Sequence, residues 1–365
     1  MKFIIRVDAS VQIGTGHVMR CLALAEELRR QGHQCLFICR NHKGNIAELI
    51  VQKGFELHLL HSPKQTEKFV KDEQAVVHSG WLGVPWQTDA QQTLEVLVNH
   101  NPDWLIVDHY ALDAKWERQL VEAVGQILVI DDLADREHMS TVLLDQNFGR
   151  QSTDYDELVP PTCTKLIGPK YALLRTEFAE MRAASLERRR TLELKRILIS
   201  LGGVDRTNVT GQILGALSSS TLPPEIELDI VMGRSAPHLE TVKKQALELP
   251  FQATVSVSVS NMAERMCLAD LAIGAAGSTA WEMCCLGLPA ILLVLADNQR
   301  MVNQSLIKAG IAKGLDIQAL KTEDSIKIDN VVKDAWCAAP TMTEKGASVA
   351  DGFGCARLAN FLVGV

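Results

Sequence analysis

The sequence predicts an α/β protein built from two doubly wound, Rossmann-like halves. Three observations predict it. Short β-branched apolar runs alternate with helical patterns from the first residues onward. The alternation breaks between 149 and 194, where Pro160, Pro161 and Pro169 precede a charged stretch containing Arg188-Arg189-Arg190. It then restarts at Arg196 and runs nearly to the end of the chain. The 365 residues exceed the size at which one core usually stops growing, so two domains are expected.

In the first half the strands are expected at 3–8, 34–39, 55–60, 104–108, 127–131 and 141–144. Helices are expected at 17–31, where Leu22, Ala25 and Leu28 share a face, and at 45–53, 89–100 and 113–124. In the second half strands are read at 196–201, 227–232, 253–257, 271–274 and 290–294, with helices at 208–217, 237–247, 262–268, 278–286 and 298–309. Residues 350–362 also have helical spacing. This organisation divides the chain into a first domain, 1–165, a linker, 166–194, a second domain, 195–346, and a C-terminal helix, 347–365, able to pack back on the first domain. Two such halves imply a central cleft faced by the carboxyl ends of both sheets, where open α/β sheets bind their ligands. The arginine run reads as a solvated linker or helix end, the linker being preferred.

Composition narrows the function. Hydrophobic residues make up 47% of the chain, charged residues 22% and aromatic residues 5%, which suits packed cores and excludes a disordered chain. The net charge of -7 argues against nucleic acid or an anionic membrane as the main partner. The start, MKFIIRVDAS, is interrupted by Arg6 and Asp8 and reads as a strand, not a secretory signal, and no stretch is long and apolar enough to span a bilayer. A cytoplasmic monomer is expected. The nine cysteines are scattered without a C-x-x-C pair and read as reduced core residues, Cys35 and Cys39 among them. No metal site and no cofactor are expected.

Chemistry concentrates at strand ends. Gly14-Thr15-Gly16-His17 lies between the first strand and helix, where glycines let the backbone approach a ligand. The dinucleotide fingerprint fails, because Met19 stands at the third glycine position and the second strand ends in Cys39-Arg40 without a ribose-binding acid. His17 has two readings: a general base at the mouth of the site, or a capping or packing histidine. Asp108-His109-Tyr110 closes the strand 104–108, and Asp131-Asp132 closes the next, the doublet reading as a hydrogen-bonding or capping pair. In the second half, Gly202-Gly203 with Asn208, and the loop Gly274 to Thr279 leading to Glu282, form small-residue turns. Gly277, Ser278 and Thr279 suit a diphosphate, and Glu282 suits ribose hydroxyls. No Gly-Lys-Ser/Thr follows, so this is not a Walker loop.

Several separated strings together resemble one family across nearly the whole chain: RVDASVQIGTGHVMRCLALA, IVDHY, DYDELVPP, LIGPKYALLRTEF, ISLGGVDRTN and GAAGSTAWEMCCLGLPAILLVLADNQ. They resemble the UDP-2,4-diacetamido-2,4,6-trideoxy-β-L-altropyranose hydrolases of pseudaminic acid biosynthesis, which are similar in fold to GT-B glycosyltransferases. The resemblance implies a GT-B-like fold and metal-independent hydrolysis of a UDP-sugar with anomeric inversion. It assigns His17 as the base that activates water and puts Tyr110 near the sugar. Asn208 and Glu282 fall at substrate- and nucleotide-binding positions, and Ser278, Thr279 and Asn298 in segments that approach the diphosphate and sugar. Gly14 and Gly16 are read with the substrate, Gly202 and Gly203 with the nucleotide. Residues 62–87, with Trp81 and Trp86, read as an insertion relative to compact members. Asp8 is the candidate group to orient His17. Two other functions stay open: a glycosyltransferase using the same cleft with a sugar or lipid acceptor, and a nucleotide-sugar binding module in which His17 is incidental.

Overall fold

The computed structural model describes residues 1–61, 76–191, 193–320 and 325–364. The chain divides into two compact units, Met1–Leu173 with Cys355–Val365, and Leu174–Gly354.

The first unit runs β1 (Lys2–Val7), α1 (Gly16–Arg30), β2 (Gln34–Arg40), α2 (Ala47–Gln52), β3 (Glu56–Leu60), α3 (Trp86–His100), β4 (Trp104–Asp108), α4 (Ala114–Arg118), β5 (Gln126–Ile130), β6 (Val142–Asp145) and β7 (Thr164–Ile167). Among the described residues these strands form one parallel sheet in the order β3-β2-β1-β4-β5-β6-β7. Strand order reverses beside β1, so the carboxyl ends of β1 and β4 open at the switch point. Alternation along the strands sorts their side chains onto two cores. Phe3, Ile5, Val7, Ile106 and Ile130 face α1, whereas Ile4, Ile38, Leu105, Val107 and Val129 face the α3 side with Trp116.

The second unit runs α5 (Thr176–Arg188), β8 (Arg196–Ser200), α6 (Val209–Leu217), β9 (Glu227–Met232), α7 (Leu239–Leu247), β10 (Gln252–Val257), α8 (Met262–Leu268), β11 (Leu271–Ala275), α9 (Thr279–Cys285), β12 (Ala290–Leu293), α10 (Arg300–Lys308), β13 (Lys313–Gly314), α11 (Ser325–Cys337) and α12 (Ala339–Val349). Its sheet is also parallel, in the order β10-β9-β8-β11-β12-β13, around a core that includes Ile197, Ile230, Ile273 and Ile291. The last helix, α13 (Gly354–Gly364), belongs to the first unit. Cys355, Leu358, Ala359 and Leu362 pack into its α1-side core, and the Leu362 carbonyl accepts the indole N–H of Trp104 at 3.2 Å.

Three expectations need correction. The stretch 166–194 is not a free linker: it holds the end of β7 and all of α5, whose Phe178 and Ser185 are buried. The arginine run falls at the end of α5 and is solvated only in part. The Arg189 guanidinium is buried and donates to the carbonyls of Met266 (2.7 Å), Gly287 (3.0 Å) and Cys267 (3.4 Å), while Arg190 is exposed. The third concerns cysteine, since Cys337 is exposed whereas most of the others are buried. Of the insertion read at 62–87, residues 62–75 lie outside the described residues; the remainder holds a short turn, Ser79–Leu82, and the start of α3.

Candidate active site

His17 sits on the first turn of α1, preceded by Gly14 in the left-handed region (φ +85°), whose N–H donates to the Ser10 carbonyl at 2.8 Å. No acidic side chain occupies this first helical turn. Instead an acid reaches it from the sheet: His17 Nδ1 lies 2.6 Å from Asp108 Oδ1, at the carboxyl end of β4. Arg20, one helical turn after His17 and on the same face, grips that carboxylate in a fork, Nε on Oδ2 at 2.6 Å and Nη2 on Oδ1 at 2.7 Å. Its remaining arm, Nη1, donates to Asp132 Oδ2 at 2.6 Å, and the Tyr110 hydroxyl donates to the same oxygen at 2.8 Å.

Charge explains the arrangement. Burial alone would raise the Asp108 carboxyl, but Arg20 and then His17 outweigh it and hold the group well below the ordinary carboxylate range. An ionised carboxylate can only accept, so the proton of a neutral His17 sits on Nδ1 and the Nε2 lone pair is left to act. Arg20 Nη2 donates to Asp108 Oδ1 and is also 3.3 Å from Nδ1, which cannot accept from it while it carries the proton. Burial, reinforced by Asp132, pushes the Tyr110 phenol well above its usual range, so Tyr110 is a donor and not an anion.

Aromatic rings enclose one side of the imidazole. The Tyr110 ring meets His17 edge-on with centroids 4.6 Å apart, Trp81 stacks on Tyr110 at 5.5 Å, and His78 lies 4.5 Å from Trp81.

Asp8 does not orient His17. It accepts from Arg6 Nη1 (2.7 Å) and from the Arg40 backbone N–H (2.6 Å), and lies 3.1 Å from His109 Nε2. The reason is strand parity. Val7 is in register with Asp108, so Asp108 projects to the α1 face with Val7, whereas Arg6, Asp8 and His109 project to the opposite face, where Asp89 joins them. The same alternation splits the next doublet: Asp131 caps the turn at the Ala134 N–H and pairs with Arg136, while Asp132 joins the His17 cluster. Arg20 is the site residue that sequence reasoning passed over, and Asp132 was read only as one of a hydrogen-bonding or capping pair. Spacing offered one signal, since Arg20 is three residues after His17 on one helix face.

In the second unit, β8, β11 and β12 are neighbours, so their carboxyl-end loops are grouped. These loops hold Gly202-Gly203, Gly277-Ser278-Thr279 and Asn298, the last exposed. Gly202 is left-handed (φ +88°), and a Cβ on Gly233 would fall 1.9 Å from the Gly203 carbonyl oxygen, so the β8 and β9 loops touch backbone to backbone. Ser278 opens α9 without a side-chain capping bond. Gln299 ties the β12 loop inward, accepting from the Leu295 N–H at 2.8 Å, and its Nε2 would meet a Cβ on Gly277 at 3.6 Å. Asn208 is an N-cap, left-handed (φ 54°) and accepting from the Gly211 N–H at 3.2 Å, in a turn that Asp205 also braces. Glu282 retains a fifth of its side-chain exposure; burial pushes its carboxyl up to about 7 despite Arg175, whose Nη2 is 3.8 Å away. Among the described residues, no helix is long and apolar enough to cross a membrane.

Over its full length the chain superimposes on MurG of Acinetobacter baumannii with a TM-score of 0.68 at 15% identity, covering 100% of both chains. The chain has the GT-B fold. Residues 208–351, all within the second unit, match the glycosyltransferase family 28 C-terminal domain. The chain is 28% identical over 247 residues to the UDP-2,4-diacetamido-2,4,6-trideoxy-beta-L-altropyranose hydrolase of Campylobacter jejuni, covering 67% of this chain and 74% of that one. It is 25% identical over 307 residues, 82% of its length, to an uncharacterized protein of Methanocaldococcus jannaschii, of which the match spans 57%.

Proposed function

We propose that this GT-B protein hydrolyses a UDP-linked 2,4-diacetamido-2,4,6-trideoxy sugar to UDP and free sugar. The observation that carries the reading is the His17–Asp108–Arg20 chain, which orients an imidazole with its Nε2 lone pair uncommitted. Water attacks the anomeric carbon as Nε2 takes its proton, and the bond from C1 to the diphosphate oxygen breaks, its electron pair leaving with UDP. Attack opposite the leaving group inverts C1. A positioned base of this kind contributes on the order of a hundredfold to ten-thousandfold. Asp108 keeps the imidazole oriented and stabilises the imidazolium without itself taking the proton.

The second unit supplies the nucleotide contacts in this reading. Backbone amides and hydroxyls at Gly277, Ser278 and Thr279, with the Gly202-Gly203 turn, meet the diphosphate, and Glu282 accepts from the ribose hydroxyls. Asn208 serves through the fold of its turn. The similarity to the Campylobacter jejuni hydrolase supports both the reaction and the sugar.

A second reading, a glycosyltransferase that replaces water with an acceptor hydroxyl, is favoured by the family 28 match at 208–351. Release of UDP from the diacetamido sugar nucleotide without any acceptor, with label from oxygen-18 water appearing in the sugar, decides for hydrolysis. Label in UDP, or release only with an acceptor, decides against it.

A further inference from the structure

The turn that carries Trp81 is built to hold a side chain against the His17 site. Leu82 and Val84, 1% and 3% exposed, are driven into the α3-side core. Gly83 between them is left-handed (φ +73°), and a Cβ there would come within 2.9 Å of His42 Cε1, so the turn closes tightly. Trp81 therefore remains half-buried on top of Tyr110, their rings 25° from parallel, with His78 wedged 5.5 Å from Tyr110 and His17 edge-on to the indole at 6.4 Å.

Most polar groups beneath this layer are engaged, although Asp132 Oδ1 is buried without a hydrogen-bond partner. The Tyr110 hydroxyl serves Asp132, Asp132 serves Arg20, and Arg20 serves Asp108. A group arriving beside His17 thus meets ring surface. Burial holds His78 below the ordinary histidine range, so that ring is uncharged near neutrality. Such a surface takes methyl and C–H groups well, whereas a hydroxyl laid on it is stripped of water without gaining a partner.

We propose that Trp81, with His78 beside it, is the specificity wall of the His17 site and receives the acetamido methyl of a 2-acetamido sugar. This rests on the reading above, in which His17 directs water to C1. The substituent on C2 is then the one nearest the base, and in an acetamido sugar it ends in a methyl group.

Calorimetric binding of UDP-N-acetylglucosamine, UDP-glucose and UDP to the wild type, Trp81→Ala and Trp81→Phe tests the wall. The wild type is expected to bind UDP-N-acetylglucosamine roughly tenfold or more tighter than UDP-glucose, the range one apolar contact supplies. Trp81→Ala brings the two within about threefold and leaves UDP unchanged, while Trp81→Phe keeps most of the preference. Equal binding of the two sugars by the wild type, or a Trp81→Ala ratio unchanged from wild type, overturns the proposal. So does parallel weakening of all three ligands in both variants. Because binding is read without turnover, absence of hydrolysis by the wild type sinks the hydrolase reading and leaves this result standing by itself.

Discussion

Arg20 and Asp108 face each other fork to fork, with Nε on one carboxylate oxygen at 2.6 Å and Nη2 on the other at 2.7 Å. The pair sits beneath His17 and fixes the charge that the imidazole feels. Four expected outcomes follow from this arrangement and from the second unit.

Asp108→Asn keeps the shape but replaces an obligate acceptor with a group that can also donate. His17 then loses its fixed tautomer, and kcat should fall by about a hundredfold to ten-thousandfold with UDP affinity unchanged. Steady-state kinetics paired with UDP calorimetry checks this. A kcat within a few-fold of wild type is incompatible with Asp108 as the orienting group.

Arg20→Lys replaces a three-way fork with one point charge. Asp108 would move back up toward the ordinary carboxylate range and lose one side of its clamp, so kcat should fall at least about tenfold with UDP affinity unchanged. Since removing one partner of a buried pair costs about 3–5 kcal/mol, Arg20→Ala should also melt well below wild type. Steady-state kinetics in which Arg20→Lys keeps the wild-type kcat refute the clamping role.

Glu282 gives a pH signature in the second unit. Its carboxyl is raised from 4.5 to about 7 in the folded chain, so the unfolded chain releases that proton first as pH rises. The stability it contributes is present in acid and is lost between about pH 4.5 and about 7. Urea unfolding of wild type and Glu282→Gln across that window should show a steeper decline for the wild type. If Glu282 accepts from ribose, UDP affinity of the wild type should also rise with pH through this range, and Glu282→Ala should bind UDP about tenfold to a hundredfold more weakly. Parallel stability curves, or unchanged UDP affinity, argue against these roles.

The arginine run separates by burial. Arg189→Ala removes the donor to three carbonyls and should cost about 1–3 kcal/mol or more, whereas Arg190→Ala, at an exposed position, should fall within about 0.5 kcal/mol of wild type. Chemical denaturation of the two variants side by side measures the contrast.

Much of the fold was legible because parallel strands buried on both faces read as apolar runs: 227–232 and 104–108 coincide with β9 and β4. The short β13 offered only two residues of pattern, and β7 was obscured by Pro160, Pro161 and Pro169 around it. Helices α11 and α12 went unread, the second carrying a proline at its start and Gly346 in its body. His17 and Tyr110 could be singled out because they adjoin strand ends, and the structure brings them into contact. The links between them were not readable: Arg20 and Asp132 are 112 positions apart, and the choice of Asp108 over Asp8 depends on a one-residue strand register.

Helix α13 carries a consequence for biosynthesis. Its apolar side completes a core whose other members lie between Phe3 and Leu173. A ribosome emits the residues of the second unit before that helix, so the first unit must wait, its α1-side core partly open, through the translation of some 180 residues from Leu174 to Gly354. The half that bears His17 is begun before the second unit and completed after it. A released chain truncated before α13 should therefore be cut by protease in the first unit while the second is resistant.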